Sequence, residues 1–169
     1  MARSKKDRNI ISDAARLQLD AYIQAMGMRR TPERYAVLEH IVGLDKLFTA
    51  EEVISAMDSP VFRVCQATVY NTIQTLCDAE ILRKHYYDGN HISYELALSA
   101  KGNVHLICRV CGNIKVSHDP EIDAMLRHRR FTAFSHRYYS LHIYGICSRC
   151  QRSHRRNGTN ADTSKHKPT

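Results

Sequence analysis

The sequence has no long apolar run. No stretch approaches the roughly 18 consecutive apolar residues that span a bilayer, and no apolar core follows the basic N-terminus, Met1 to Asn9, as a secretory signal requires. The expectation is a cytoplasmic protein with no membrane partner. Glycine and proline are scarce, 7 and 4 of 169 residues, so the composition is that of a globular chain, with 43% hydrophobic residues. Acidic side chains are also in short supply. The 17 Asp and Glu face 25 Lys and Arg, a formal net charge of +8, which favours a polyanionic partner such as nucleic acid.

What is present reads as two small folding units in an α+β arrangement. Met1 to Asn9 is expected to be a flexible basic end. Ile10 to Met26 has helical spacing, with Ile10, Ala14, Leu17, Ala21 and Tyr22 as the apolar set, and Gly27 suits the helix end. Thr31-Pro32 opens a second helix with Val37, Leu38, Ile41 and Val42 inward. Thr49-Ala50-Glu51-Glu52 is a capping-box pattern for a third, carrying Val53, Ile54 and Met57. After an extended stretch from Ser59 to Val64, a fourth helix over Gln66 to Ala79 places Val69, Ile73 and Leu76 inward. The period then changes to two: Ile81 to Tyr87 and Ile92 to Leu98 read as strands around the turn signal Asp88-Gly89. Helices followed by a hairpin make a winged helix-turn-helix over residues 10–98.

Residues 99–150 read as a second, α/β domain. Short strands surround Cys108-x-x-Cys111, and Pro120 to His128 reads as a helix with Ile122, Met125 and Leu126 inward. Tyr139-Leu141-Ile143 alternates as a strand, and Cys147-x-x-Cys150 follows. Residues 151–169 are polar and basic and are expected to be disordered.

Six cysteines in a reducing compartment point to metal or redox chemistry, not a disulfide framework. Each C-x-x-C turn brings two thiolates to one side, and two such turns complete a tetrahedral sulfur cage for a structural zinc on Cys108, Cys111, Cys147 and Cys150. A redox switch and an iron–sulfur cluster are the rival readings. Cys77 reads as a small buried apolar residue. An all-cysteine cage has no open position, which argues against a zinc enzyme.

The fourth helix opens with polar residues, Gln66, Thr68, Tyr70 and Asn71, types that read base edges when a helix lies in the major groove. Arg63 precedes it, Arg29 and Arg30 precede the second helix, and Arg83, Lys84, His85 and His91 decorate the hairpin where a wing meets the DNA backbone. Double-stranded DNA is the expected partner.

These residues resemble the ferric uptake regulator family, known as Fur. The motifs are Gly27-Met28-Arg29-Arg30-Thr31-Pro32-Glu33-Arg34, Thr49-Ala50-Glu51-Glu52, Ala67-Thr68-Val69-Tyr70, His105-Leu106-Ile107-Cys108-x-x-Cys111-Gly112 and Tyr144-Gly145-x-Cys147-x-x-Cys150. The resemblance covers roughly residues 15–150. It implies a bacterial homodimer with a winged helix, a hinge and a dimerisation domain. It also implies palindromic promoter sites and a repressor governing metal, iron, haem or stress genes. Tyr70 matches the family's base-contacting tyrosine, while Asn71 stands where many relatives carry arginine.

The family's regulatory site uses a histidine before the third helix, a hinge glutamate and a His-x-His run. This chain has Leu47, Glu95 and Asn103-Val104-His105 at those places. Glu95 and His105 therefore remain as a remnant regulatory pair for Fe2+ or Mn2+. The positions of a second site fall on Gly102, Val104, Asp123 and Tyr139, of which Asp123 alone keeps a usual ligand. His91, His118, His136 and His142 are candidate replacement ligands. A haem-responsive regulator, a ligand-independent one and a haem-binding protein are the alternative readings.

Overall fold

The computed structural model describes residues 5–44, 46–58, 63–87, 91–100 and 102–156. The chain divides into two compact units, Met1–Lys101 and Gly102–Thr169. The Asp88-Gly89 turn, most of the stretch from Ser59 to Val64, and the tail beyond Arg156 lie outside the described residues.

Unit 1 runs α1 (Lys5–Ala25), α2 (Pro32–Gly43), α3 (Ala50–Ala56), α4 (Gln66–Asp78), β1 (Leu82–Tyr87) and β2 (His91–Leu96). α1 already includes residues 5–9, which were expected to be flexible, and its inward face is not the expected one. Ala15, Leu19 and Ile23 are buried at i, i+4 and i+8, whereas Leu17 is 71% and Ile10 59% exposed. Both sets have helical periodicity; packing against α2 selects the stripe whose members recur every four residues. The helix ends as its sequence suggests. Gly27 takes φ +63°, Met28 N–H donates to Ile23 O and Gly27 N–H to Gln24 O, a Schellman closure.

α2 starts with Pro32 in its first turn, but the Thr31 side chain makes no capping bond. The proline already removes one of the orphan N–H groups. α3 carries the full capping box: Glu52 N–H donates to Thr49 Oγ1 at 3.3 Å, and Thr49 N–H to Glu52 Oε2 at 2.9 Å. α4 buries Val69, Ile73 and Leu76 as the pattern requires. It ends on Glu80 at φ +56°, a left-handed turn that delivers buried Ile81 into β1. β1 and β2 pair antiparallel, Leu82 opposite Leu96, and an isolated antiparallel bridge joins Phe48 to Tyr94 of β2, their rings stacked at 5.8 Å. One core joins these elements, from Leu19 and Ile23 through Leu38, Ile41 and Val53 to Ile73, Leu76 and Leu96. This is the winged helix-turn-helix arrangement.

Unit 2 runs β3 (Asn103–Cys108), β4 (Ile114–His118), α5 (Pro120–His128), β5 (Leu141–Gly145) and α6 (Ser148–Arg156). The sheet order is β4-β3-β5, with β3–β4 antiparallel and β3–β5 parallel. A parallel neighbour needs a crossover, and α5 lies in that connection. Asp119 caps α5 by accepting the N–H groups of Glu121 and Ile122, with Pro120 in the first turn. Met125, expected inward, is 64% exposed. Residues 151–156, expected to be disordered, continue α6.

Candidate metal centre and nucleic-acid face

The parallel pairing of β3 and β5 explains the long gap between the two cysteine pairs. Parallel neighbours finish at the same sheet edge, so the turns that follow both strands meet there. Cys108 closes β3 in register with Gly145, the last residue of β5. Gly112 takes φ +68° and donates its N–H to Cys108 O at 2.9 Å, folding the first turn back. Arg109 N–H donates to Gly145 O at 2.8 Å, tying that turn to the end of β5. Cys150 comes from the first turn of α6.

The four Sγ atoms all lie within 4.8 Å of one another, and Cys111 and Cys147 are 3.8 Å apart. A tetrahedron with Zn–S of ~2.3 Å has edges of about 3.8 Å, so the donor set fits a closed tetrathiolate site. The Cys147 backbone N–H, 3.3 Å from Cys108 Sγ, leads the causes that bring that thiol down to about 6. The Asn113 backbone N–H does the same, more mildly, for Cys111. Cys150 is pushed up to about 12, first by its hydrogen bond with Cys147. Thiolates crowded this closely cannot all ionise unless a cation joins them. Among the described residues no carboxylate or histidine joins this cluster, so it contains no general base.

The exposed face of α4 carries Gln66, Tyr70 and Asn71. The Tyr70 hydroxyl donates to Glu51 Oε1 at 3.0 Å, and Glu51 is held below its ordinary range by its own backbone N–H, by Thr49 and by Tyr70. Thr68 is half-buried, its Oγ1 3.0 Å from the exposed Cys65 thiol. Arg63 pairs with Asp58 at 2.7 Å. Thr31, Arg34, Arg63, Thr68 and Asn71 line one cleft of about 450 Å³. Arg29 is exposed, and its carbonyl accepts Arg34 Nη1 at 2.5 Å. Arg34 and Cys65 were not singled out from the sequence as part of this face; nothing in their local pattern marks them, because the cleft forms only when the α2 and α4 N-termini meet.

His85 departs from its expected place on the wing surface. Its side chain is 2% exposed and meets Glu95 at 2.8 Å within the β1–β2 sheet. The alternation of β1 puts this residue on the hairpin face opposite the one that Leu82, Tyr94 and Leu96 turn to the unit 1 core. Glu95 belongs to unit 1 and His105 to unit 2. Within unit 2, His105 stacks on His142 with ring centroids 5.3 Å apart and planes at 20°. Leu47 offers no donor atom, and Asn103 keeps only a carboxamide.

The second site implied by the resemblance does not fit a metal. Asp123 Oδ1 accepts the Tyr139 hydroxyl at 2.6 Å, and the Arg127 guanidinium occupies Oδ2. Tyr139, then Arg127 and His118, hold this carboxyl below its usual range. A Cβ on Gly102 would fall 2.5 Å from the His118 ring, leaving no room for a larger residue there. A guanidinium and a phenol already serve the carboxylate that a cation would need.

The ferric uptake regulator family model matches residues 25–151. The chain belongs to this family. The peroxide-responsive repressor PerR of Staphylococcus epidermidis is 26% identical over 132 residues, 78% of this chain and 87% of that protein. The ferric uptake regulator of Helicobacter pylori, whose structure reveals three functional metal binding sites, superposes with TM-score 0.65 at 19% identity, over 83% of this chain and 93% of that one. A zinc uptake regulator solved with zinc and DNA gives TM-score 0.50 at 18% identity, over 90% and 99%. Fur-family proteins are transcription regulators, not enzymes. No helix of the described residues is long and apolar enough to cross a membrane.

Proposed function

We propose that this Fur-family protein is a homodimeric, sequence-specific DNA-binding repressor whose C-terminal domain is built on a structural zinc at Cys108, Cys111, Cys147 and Cys150. The observation that carries the reading is α4. It sits in a winged-helix frame with Gln66, Tyr70 and Asn71 exposed along one face and the cleft containing Arg63 and Thr68 beside them. A helix so presented suits the major groove, with Tyr70 and Asn71 on base edges and Arg29 and Arg63 on phosphates. The DNA complex of the zinc uptake regulator supports the same use of this fold. A second copy of the chain is supported by exposed apolar residues of unit 2, Val116, Phe131, Phe134, Ile143 and Ile146. Two α4 helices in a dimer then match a palindrome.

The regulatory ligand is a metal ion of the iron, manganese or zinc group, with His105 of unit 2 among its ligands. The test is fluorescence anisotropy with the zinc-loaded protein and DNA from its own promoter, at one fixed salt concentration, with and without ferrous, manganous or zinc ion. A tenfold or greater rise in affinity, about 1.4 kcal/mol, supports metal-dependent repression. Unchanged affinity removes the metal, and a Soret band with a change in DNA binding on haem addition then selects the haem-responsive alternative. Failure to prefer the promoter over unrelated DNA overturns the sequence-specific reading itself.

A further inference from the structure

β3 and β5 place two imidazoles in register. His105 pairs directly with His142 across the parallel strands, and one ring nitrogen of each lies within 4.8 Å of the other. His105 is 1% exposed and His142 half-buried. The family's His-x-His run puts two ligands two residues apart on one strand, a step of about 6.6 Å. Here residue 103 is asparagine, but neighbouring strands lie only ~4.8 Å apart. An opposed pair on adjacent strands therefore brings two imidazoles together on one sheet face at least as closely as the lost pair would.

The alignment is also locked. Three residues beyond His105 lies Cys108, and beyond His142 the chain reaches Cys147, so the tetrathiolate cluster ties together the ends of the same two strands. A slip of one residue would turn His142 to the opposite face. A zinc at the sheet edge thus holds the two rings side by side before any second ion arrives, which lowers the ordering cost of binding.

We propose that His105 and His142 form the two-imidazole core of a second metal site, which replaces the missing histidine at position 103. The proposal rests on the reading of this protein as a metal-dependent regulator and names the ligands of its sensor. Imidazole donors select first-row ions such as Fe2+, Co2+, Ni2+ and Zn2+ over Mg2+ and Ca2+. Asn103 lies on the same face, two residues from His105, and water fills positions that no side chain takes.

The test is a Co2+ titration of the full-length, zinc-loaded protein, followed by visible absorption with zinc content measured in parallel. Wild-type protein is expected to bind one Co2+ per chain with nitrogen/oxygen-type bands, no thiolate charge-transfer band and no loss of zinc. His142→Asn and His105→Asn are each expected to weaken Co2+ binding at least tenfold. Asn103→His in the His142→Asn background is expected to recover it, which a merely structural role for His142 would not produce. Should His142→Asn unfold, paramagnetic shifts of the His105 and His142 ring resonances in wild-type protein answer the same question. Undiminished Co2+ affinity in a folded His142→Asn protein, absent ring shifts, or cobalt found only on thiolates overturns the site. Promoter binding separates the two readings. A metal response that survives His142→Asn removes this site and leaves metal regulation standing. His142-dependent Co2+ binding without any DNA response leaves the site and removes the regulatory reading.

Discussion

His85 and Glu95 are hydrogen-bonded at 2.8 Å across the two strands of the wing, their side chains 2% and 8% exposed. They are diagonal neighbours on one sheet face, since His85 pairs with Ser93 and Arg83 with Glu95. The hinge glutamate that the family resemblance singles out is therefore held by a histidine of its own hairpin.

Breaking that pair removes a buried hydrogen bond. His85→Leu and Glu95→Leu are each expected to destabilise unit 1 by about 1–3 kcal/mol. The double change His85→Leu with Glu95→Leu should cost far less, because neither partner is left behind. Urea denaturation of the two single variants and the double variant measures this as a cycle, and additive losses would show that the two groups do not depend on each other.

The cysteine cluster predicts a domain that needs its metal. Cys108→Ser should abolish stoichiometric zinc and melt unit 2, seen as lost circular dichroism and lost dimer. A folded, dimeric Cys108→Ser protein would remove the structural role. Binding requires thiolates, and Cys150 sits at about 12 while Cys108 sits near 6. Zinc uptake at neutral pH must therefore expel protons, chiefly from the high-lying thiol, and affinity must fall as pH falls. Calorimetry in buffers of different ionisation enthalpy reads the proton release directly.

On the DNA face, Tyr70→Ala and Asn71→Ala should each weaken promoter binding by about 1–3 kcal/mol while leaving unrelated DNA nearly untouched. Arg63→Ala should instead weaken both and reduce the salt slope by about one. Anisotropy at several salt concentrations separates the two classes. Equal losses on both DNAs for Tyr70→Ala would place it on the phosphate backbone.

Asp123 makes the opposite kind of prediction. Asp123→Asn should lower the stability of unit 2 by about 1–3 kcal/mol through its bonds to Tyr139 and Arg127, yet leave metal content unchanged. Elemental analysis beside a thermal melt decides it. A lost equivalent of metal would show that the position still ligates.

Cys77 is pushed up to about 11 by burial against the unit 1 core, from an ordinary value of 9.0. The folded state keeps its proton longer than the unfolded chain does. Its contribution is thus intact below pH 9 and is lost as pH rises from 9 towards 11. Melting temperature should drop over that window, and Cys77→Ala should remove part of the drop.

Much of this was legible in the residues themselves. Strict periodicity marked Val37, Leu38, Ile41 and Val42 in α2, and Val69, Ile73 and Leu76 in α4. Thr49 with Glu52, Gly27 and Pro120 mark helix ends by chemistry that acts over a few residues. The two C-x-x-C pairs have spacing that few other uses would need. Those signals are local, and local interactions survive translation into structure. Elsewhere two stripes competed. α1 offered Leu17 and Ile10 as readily as Leu19 and Ile23, and only packing against α2 chose between them.

By itself, then, the sequence determined the element order from α1 to β5, the winged-helix class and the pairing of the two C-x-x-C turns, because each follows from periodicity, capping or ligand spacing within a short window. Only the tertiary structure decided that His142 faces His105, that His85 withdraws to Glu95, and that Tyr139 claims Asp123. Those partners come from different elements, and the register of one strand against another, or of a strand against a helix, is set by cooperative packing that no single window of sequence contains.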